Sequence, residues 1–487
     1  MKKYEQVIDL AIRKGIFFPT AEIYAGPAGF WDYGPYGVAL KQNLIELWRK
    51  HMVQKDGMLE IDGCQIMPEE VFKNSGHLNS FQDPLVECTK CKNIFRADKL
   101  IEDKTKKLTP EALKAAQFDK LIKKYKITCP SCKKALSDVK MFNLMVKTLL
   151  GPKQADVAYL RPETCQSIFI DFPRVYKTMR AKLPIGLAQL GKSFRNEISP
   201  RQSIFRLKEF TQAEIEIFFN PKKEKDFDKF NEVKSYKLNL ALLGKEDKTL
   251  AISCSDAVKK KLVRSKLVAY YLTLLMQFVE RVGIDKKNIR FRELGGDERA
   301  FYAKAAWDLE IKTSQGWMET VANHYRTDHD LGLHSKGSKK DLSVMDGDEK
   351  VLPWVWETSM GIDRLLLMVL DNAYTEETVK GEKRVVLKLA SKVAPVQVAV
   401  FPLTKKDGLP EKAQKIYNVL AESYTCQYDI AGSIGKRYRR MDEIGCPFCV
   451  TIDHQTLKDN TVTVRERDSM KQKRYKIAKL HTALNFP

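Results

Sequence analysis

Within residues 36–55, Val38, Leu40, Leu44, Leu47 and Trp48 recur at roughly helical spacing, which predicts an amphipathic helix. A strand-like run, MLEIDGCQIMP, follows at 58–68. From about 158 to 220 the pattern shortens. β-rich segments separated by loop residues, with AEIEIFF at 213–219 among them, predict strands of an antiparallel sheet. LVAYYLTLLMQFVERVG, beginning at Leu267, reads as a buried helix ended by Gly283. GWMETV and VLPWVWETSMG predict two more strands, the second running into a core helix that starts near Gly361. The last hundred residues alternate VQVAVFPL, KAQKIYNVLAESY, YDIAG, IGKRYRRMDEIG, FCVTID, TVTVRERD and a final helix, the order of a small α/β domain. Two stretches lack such patterning: 221–250 is charged and reads as peripheral, and TEETVKGEKR at 375–384 reads as a linker. No internal repeat is visible.

A length of 487 residues predicts two to four folded units at about 100–200 residues each. With 44% hydrophobic and 30% charged residues, the chain has enough apolar surface for sizeable cores and a hydrated exterior. No run approaches the ~20 apolar residues of a membrane helix. The start, MKKYEQVIDLAIRKG, spreads its charges rather than bracketing an apolar block, so the expected location is the cytoplasm, away from any membrane. The formal charge of +22 favours a polyanionic partner, nucleic acid first, although a merely solvated Lys-rich surface fits charge alone equally well. Ten cysteines in so long a chain do not make a dense disulfide framework.

Four of those cysteines form two knuckles, Cys88-Thr-Lys-Cys91 and Cys129-Pro-Ser-Cys132. The spacing lets four thiolates converge on one zinc ion with no open coordination position, a structural rather than catalytic metal. The Lys-rich segment between the pairs, inside an insertion spanning 86–140, is expected to protrude as a finger. Cys446-Pro-Phe-Cys449 has no partner pair and reads as ordinary buried cysteines.

The densest chemistry lies at Phe194-Arg195-Asn196-Glu197, a polar loop ISPRQSIF, and Arg206-Leu207-Lys208-Glu209-Phe210. On strands, Arg195 and Glu197 would share one face, and Arg206 and Phe210 another. The arginines offer forked donors for phosphate, the carboxylate accepts from an exocyclic amine, and the ring stacks on a purine. Gly361-Ile362-Asp363-Arg364 lies at a strand-to-helix junction, where free backbone N–H groups and a guanidinium favour phosphate again. In the last domain, Lys436, Arg437, Arg439 and Arg440 form a basic helical cluster around Tyr438, suited to phosphates and loop bases of RNA.

FRNE with its returning RxxxF resembles motif 2 of the class II aminoacyl-tRNA synthetases, GIDR with its apolar helix resembles motif 3, and the 36–55 helix with MLEIDGCQIMPEE is similar to the dimer-forming motif 1. WDYGPYG, NSGHLNSF, Arg161-Pro162-Glu163-Thr164, GSIGKRYRRMDEIG and VTVRERD further resemble the dimeric glycine-specific family, over nearly the whole chain. The resemblance implies an α+β fold with a six-stranded antiparallel sheet flanked by helices, a zinc-ribbon-like insertion, and a C-terminal α/β anticodon-binding domain. It places the catalytic domain at 1–85 and 141–385, the insertion at 86–140 and the anticodon-binding domain at 391–487. It also implies ATP with Mg2+ as cofactor, glycine and tRNA(Gly) as substrates, and a homodimer.

Carried over by position, Arg195 would meet the α-phosphate, Glu197 the adenine amine and Phe210 the adenine ring, with Arg206 and Arg364 on the other phosphates. Glu319 would hold magnesium or a ribose hydroxyl, and Asn196, Leu207 and Thr320 complete the ATP set. Glu163, Glu214, Glu357, Thr358 and Ser359 resemble the glycine pocket, whose carboxylates would grip the ammonium while their bulk excludes a side chain. This sequence departs from the family at Cys165 and Ser167, at Glu357-Thr358-Ser359-Met360 where a proline commonly follows the glutamate, and in VANHYRTD after Glu319. Two alternatives are a class II synthetase for proline, threonine or histidine, which would lack those glutamates, and a catalytically silent RNA-binding relative, which would lack Arg195, Arg206 and Arg364.

Overall fold

Alternation of inward and outward side chains organises a nine-stranded sheet. The computed structural model describes residues 2–484 apart from Leu108, 111–112, 154–155, Ser199, 201–202, Asp297, Phe301 and Lys380. Strands are β1 Leu59–Ile61, β2 Ile185–Phe194, β3 Glu209–Phe219, β4 Lys237–Ala241, β5 Leu250–Ser253, β6 Ile289–Glu293, β7 Ala305–Thr313, β8 Gly316–Thr327 and β9 Trp354–Gly361. Their spatial order is β5-β4-β6-β7-β8-β9-β3-β2-β1. The run from β6 to β2 is antiparallel throughout, which is the six-stranded sheet expected. Parallel pairing of β1 on β2 and of β4 on β6 widens it into a mixed sheet. Residues 221–250 are therefore not wholly peripheral: Leu238, Leu240 and Ala241 of β4 are fully buried.

One face of the sheet lies on the main core. Ala213, Ile215, Ile217 and Phe219 point into it and meet α2 (Pro35–Trp48), α4 (Lys266–Arg281) and α5 (Ile362–Ala373), while α1 (Lys3–Arg13) packs along its margin. Proline at the first position starts α2, where the missing N–H would be unpaired anyway. Val38 stands outside the stripe, 48% exposed. The Ser265 hydroxyl caps α4 by accepting from Val268 N, and Gly283 at φ +101° turns the chain beyond its end.

The opposite face is only partly covered, by α3 (Cys165–Thr178), whose Phe172 stacks on Phe218 at 3.8 Å. This helix corrects the strand reading of that stretch. Cys165, Ile168, Phe169, Phe172 and Tyr176 keep helical spacing, but Pro173 within it and the aromatic content mask the signal. Likewise TEETVKGEKR is no linker: Tyr374–Val379 and Glu382–Leu387 pair as a hairpin, with Val386 and Leu387 buried.

In the C-terminal unit, β10 (Val398–Pro402), β11 (Cys426–Tyr428), β12 (Phe448–Ile452), β13 (Thr461–Glu466) and β14 (Gln472–Lys476) form one sheet in the order β11-β10-β12-β13-β14. Helices α6 (Leu409–Ala421) and α7 (Ile434–Glu443) lie against it, and Cys446 and Cys449 are buried as expected. A fully buried cluster joins the units: Asp442 of α7 accepts from Arg384 of the hairpin and from Arg465 of β13. The insertion is not a bare finger either. Helices Ala97–Thr105 and Ala115–Lys124 enclose a small core of Val86, Ala97, Ile101, Phe118 and Val139.

Candidate functional site

The half-open sheet face carries two chemically distinct neighbourhoods. At the first, the chain leaves β2 and Arg195 follows, so Arg195, Asn196 and Glu197 lie in the loop rather than on a strand. Arg206 is likewise ahead of β3 and faces Glu197 across 3.8 Å. Both placements correct the strand-face reading. Ser199, Arg201 and Gln202 of the intervening loop lie outside the described residues. The Arg195 guanidinium sits between the rings of Phe81 and Phe210, 5.2 and 5.3 Å from their centroids, and donates to the Pro162 carbonyl.

Arg364, in the first turn of α5, donates to Glu319 at 2.9 Å and lies over Phe205 at 4.5 Å. Asp363 beside it turns the other way and fastens motif 3 to motif 2. It accepts from Thr211 N at 2.5 Å and Lys41 Nζ at 2.7 Å, and from Tyr33. Desolvation works to raise the Glu319 carboxyl, and Arg364, with His324 and Arg195 behind it, more than offsets this and leaves it below the ordinary range. Half of the Glu319 side chain is open to solvent, at 49%, so a cation can reach it. Leu207 is buried in the main core and Thr320 is buried with its hydroxyl on the Met318 carbonyl, so neither side chain is presented at the site.

The second neighbourhood is acidic and dry. β3 places Glu214 and Glu216 on the site face, β9 places Glu357 opposite Glu216 and Ser359 opposite Glu214, and the turn into α3 supplies Glu163 and Thr164. Arg161 anchors that turn by donating to Lys192 O and Gly63 O. Its guanidinium packs so closely on Gly191 that a Cβ there would lie 2.0 Å from a nitrogen. Glu214 accepts from Thr164 Oγ1 (2.5 Å), Gln212 Nε2 (2.6 Å) and Ser359 Oγ (2.6 Å). Glu357 meets His324 Nδ1 at 2.6 Å and Arg326 at 2.9 Å. Glu163 meets His77 Nε2 at 3.1 Å and accepts from the Cys165 thiol and Gln166. Thr358 does not join this wall: alternation turns it to the opposite face, where it donates to Asn323.

Burial, followed by the negative charges of Glu163 and Glu357, pushes the Glu214 carboxyl up to about 7. Burial and Glu357 also raise Glu216 far above the carboxylate range, and neither of its oxygens meets a donor. Burial opposes charge on Glu163 too, but His77 beside it prevails and holds that group well below. Glu216, His77, His324 and Arg326 were missed as site residues. Glu216 was readable as the second charge of AEIEIFF at period two. Arg326 was not, because a bulge between Tyr325 and Thr327 shifts the register.

The four cysteine sulfurs lie within 4.8 Å of one another, with Cys88 to Cys132 at 3.3 Å and Cys91 to Cys129 at 3.6 Å. Sulfurs around tetrahedral zinc at ~2.3 Å stand roughly 3.8 Å apart, so these residues fit such an ion. Each knuckle closes with a lysine at positive φ just past its second cysteine, Lys92 and Lys133. The insertion's base also forms part of the first neighbourhood. Phe81 flanks Arg195, and Leu144 O accepts from Asn196 N.

In the C-terminal unit the predicted basic patch shrinks. Arg437 is 3% exposed and donates to the carbonyls of Pro402 and Gly432; Tyr438 packs on Phe401 and bonds Thr451. Arg440 is paired with Asp429, though its side chain stays 38% exposed; Lys436 is outward, and Arg439 is 33% exposed with Glu382 at 3.9 Å.

Residues 152–373 match the family described as tRNA synthetase class II core domain (G, H, P, S and T), and residues 397–485 match the anticodon binding domain. Sheet, motifs and matches together define a class II tRNA synthetase core joined to an anticodon-binding domain. The chain is 39% identical to the glycine–tRNA ligase of Methanothrix thermoacetophila, over 97% of this chain and 95% of the relative. It is 40% identical to those of Methanococcus maripaludis strain C6 (98% of each chain) and Pyrococcus furiosus (98% and 97%). The chain belongs to the glycine–tRNA ligase family.

Proposed function

We propose that this enzyme activates glycine with ATP at the open sheet face and transfers it to the 3′ end of tRNA(Gly), with the nucleotide at Arg195, Arg364 and Glu319 and the amino acid at Glu163, Glu214, Glu357 and Ser359. One observation carries the reading: the Arg195 guanidinium, set between two aromatic rings, and the Arg364 guanidinium, over a third, neighbour a recess walled by buried carboxylates. Glycine offers an ammonium and a carboxylate and nothing else. Carboxylates would grip the first, and Thr164 and Ser359 packed on Glu214, with Cys165 on Glu163, would crowd a larger side chain.

In the first step the glycine carboxylate attacks the α-phosphate and pyrophosphate leaves. Arg195, freed from Pro162, and Arg364, swung from Glu319, are placed to neutralise the charge that develops. Magnesium at Glu319 would supply further charge neutralisation on the phosphates. Arg206 and Glu197, already facing each other, suit a phosphate oxygen and the adenine amine, with Phe210 as the stacking ring. In the second step a terminal ribose hydroxyl attacks the carbonyl carbon of the adenylate, forming the ester and expelling AMP, with the hydroxyl proton passing to the departing phosphate. Among the described residues no side chain at the junction is an evident general base, so positioning supplies the acceleration.

Cys88, Cys91, Cys129 and Cys132 would hold a structural zinc ion. Lys436 and Arg439 would meet tRNA, a homodimer would form around α2 and the strands after it, and the enzyme would work in the cytoplasm. Among the described residues no helix is long and apolar enough to cross a membrane. Amino-acid-dependent ATP–pyrophosphate exchange tests the core of this: glycine alone should support exchange, and Arg195→Ala should abolish it. Exchange supported by proline, threonine or histidine instead, or retained in Arg195→Ala, would refute the assignment.

A further inference from the structure

Glu357 is gripped on both of its oxygens, and the two grips are unlike. Oε1 accepts from Arg326, which is held in turn by two bonds to Asp330 at 2.7 and 2.8 Å. Oε2 lies 2.6 Å from Nδ1 of His324, which faces Glu357 directly across the β8–β9 register. An arginine keeps its proton at any relevant pH, so His324 is the one grip able to change charge near neutrality. We propose that His324 is a positioning and specificity residue for the amino group of glycine: it fixes the Glu357 carboxylate, and its own proton sets how much negative charge that carboxylate offers to the substrate ammonium. The proposal rests on the glycine reading above and deepens it.

The groups around the ring are Glu357 from β9, Asp308 from β7, Arg326 and Glu319 from β8 itself, and the Tyr302 ring, edge-on at 5.7 Å. Burial disfavours the imidazolium, but Glu357 outweighs burial, so the ring titrates above its ordinary value. Below that point the charged ring cancels the charge of Glu357, and the pocket holds an ammonium weakly. Above it the neutral ring still donates its Nδ1 proton, the geometry persists, and the full carboxylate charge faces the substrate. Glycine binding and proton release from His324 are then reciprocal. Glu214 titrates in the same direction, so the experiment has to separate the two groups.

Glycine KM, ATP KM and kcat for pyrophosphate exchange are to be measured from about pH 6 to 9 in the wild type, His324→Gln and His324→Ala. For the wild type, glycine KM should fall about tenfold across that range with ATP KM steady. His324→Gln keeps an N–H donor but no titratable charge. Its glycine KM should already be low at the acid end, with only the shallow residual slope of Glu214 and with kcat within about twofold. His324→Ala loses the grip and should raise glycine KM at every pH. Calorimetry of glycine binding in two buffers of different ionisation enthalpy provides a second reading: proton release in the wild type should drop in His324→Gln. A full wild-type slope or undiminished proton release in His324→Gln would assign the titration to Glu214 and overturn the proposal, and so would an equal shift in ATP KM. Failure of wild-type enzyme to exchange with glycine at all would instead remove the parent reading, and the proposal with it.

Discussion

Glu214 and Glu216 are buried carboxyls whose surroundings oppose their charge, so they cost the fold stability at the pH where the site works. For Glu214 the sign is explicit. Its folded value, about 7, lies above the ordinary 4.5, so stability is greatest below the unfolded value and declines as pH rises towards 7. Glu214→Gln should therefore leave the thermal midpoint nearly unchanged near pH 5 and raise it at pH 8, by an amount corresponding to about one to a few kcal/mol. Glycine KM should meanwhile rise about 10- to 100-fold, from loss of a charged contact of about 1.5–3 kcal/mol. Calorimetric melts and exchange kinetics check the two halves. Asp363→Ala is the opposite case, because it leaves Lys41 buried without its counter-charge. A loss of about 3–5 kcal/mol in urea unfolding is expected. At this scale the residues singled out in the sequence do come together: Arg364 meets Glu319, Arg195 meets the Pro162 carbonyl, and Glu163, Glu214 and Glu357 line the neighbouring recess. The sequence could not expose which side chains are spent internally. Arg437 looks like its basic neighbours in the sequence, and only tertiary packing turns it onto the Pro402 carbonyl.

The elements divide in the same way. β3 and β9, with regular alternation, and the long helices α4 and α5 were legible from their periods, while β8 was legible only over residues 316–321 because bulges break its alternation. α3 was not, because Pro173 interrupts it, and the hairpin at 374–387 was not, because its outward face is charged and its burial comes from helices elsewhere in the chain. β1 and β4 join the sheet by parallel pairing across long sequence separations, which local pattern does not encode. The insertion has its own consequence at this scale. Its base strands, Gln82–Glu87 and Lys140–Asn143, pair with each other, and the residues just outside them, Phe81 and Leu144, hold Arg195 and Asn196. Stripping metal with a chelator, or making Cys129→Ser, should raise ATP KM about tenfold or more while the C-terminal unit stays folded. Exchange assays beside limited proteolysis check this.

Across the whole molecule the charge of +22 is spread over both units, and of the basic residues on α7 expected to meet RNA, Lys436 and Arg439 are those that reach solvent with no carboxylate partner closer than 3.9 Å among the described residues. Charge reversal of both should weaken tRNA binding and reduce its salt dependence, leaving glycine and ATP KM unchanged; binding isotherms at two salt concentrations check it. Asp442 on the same helix sits between Arg384 and Arg465 with no exposed surface. Arg384 belongs to the hairpin that continues directly from α5, the helix opened by Arg364. From α7 to the first turn of α5 the described residues thus connect through one ion cluster, one strand pairing and one helix. On the proposed reading, the helix that meets tRNA and the helix that carries Arg364 are therefore held in one packed frame rather than tethered separately.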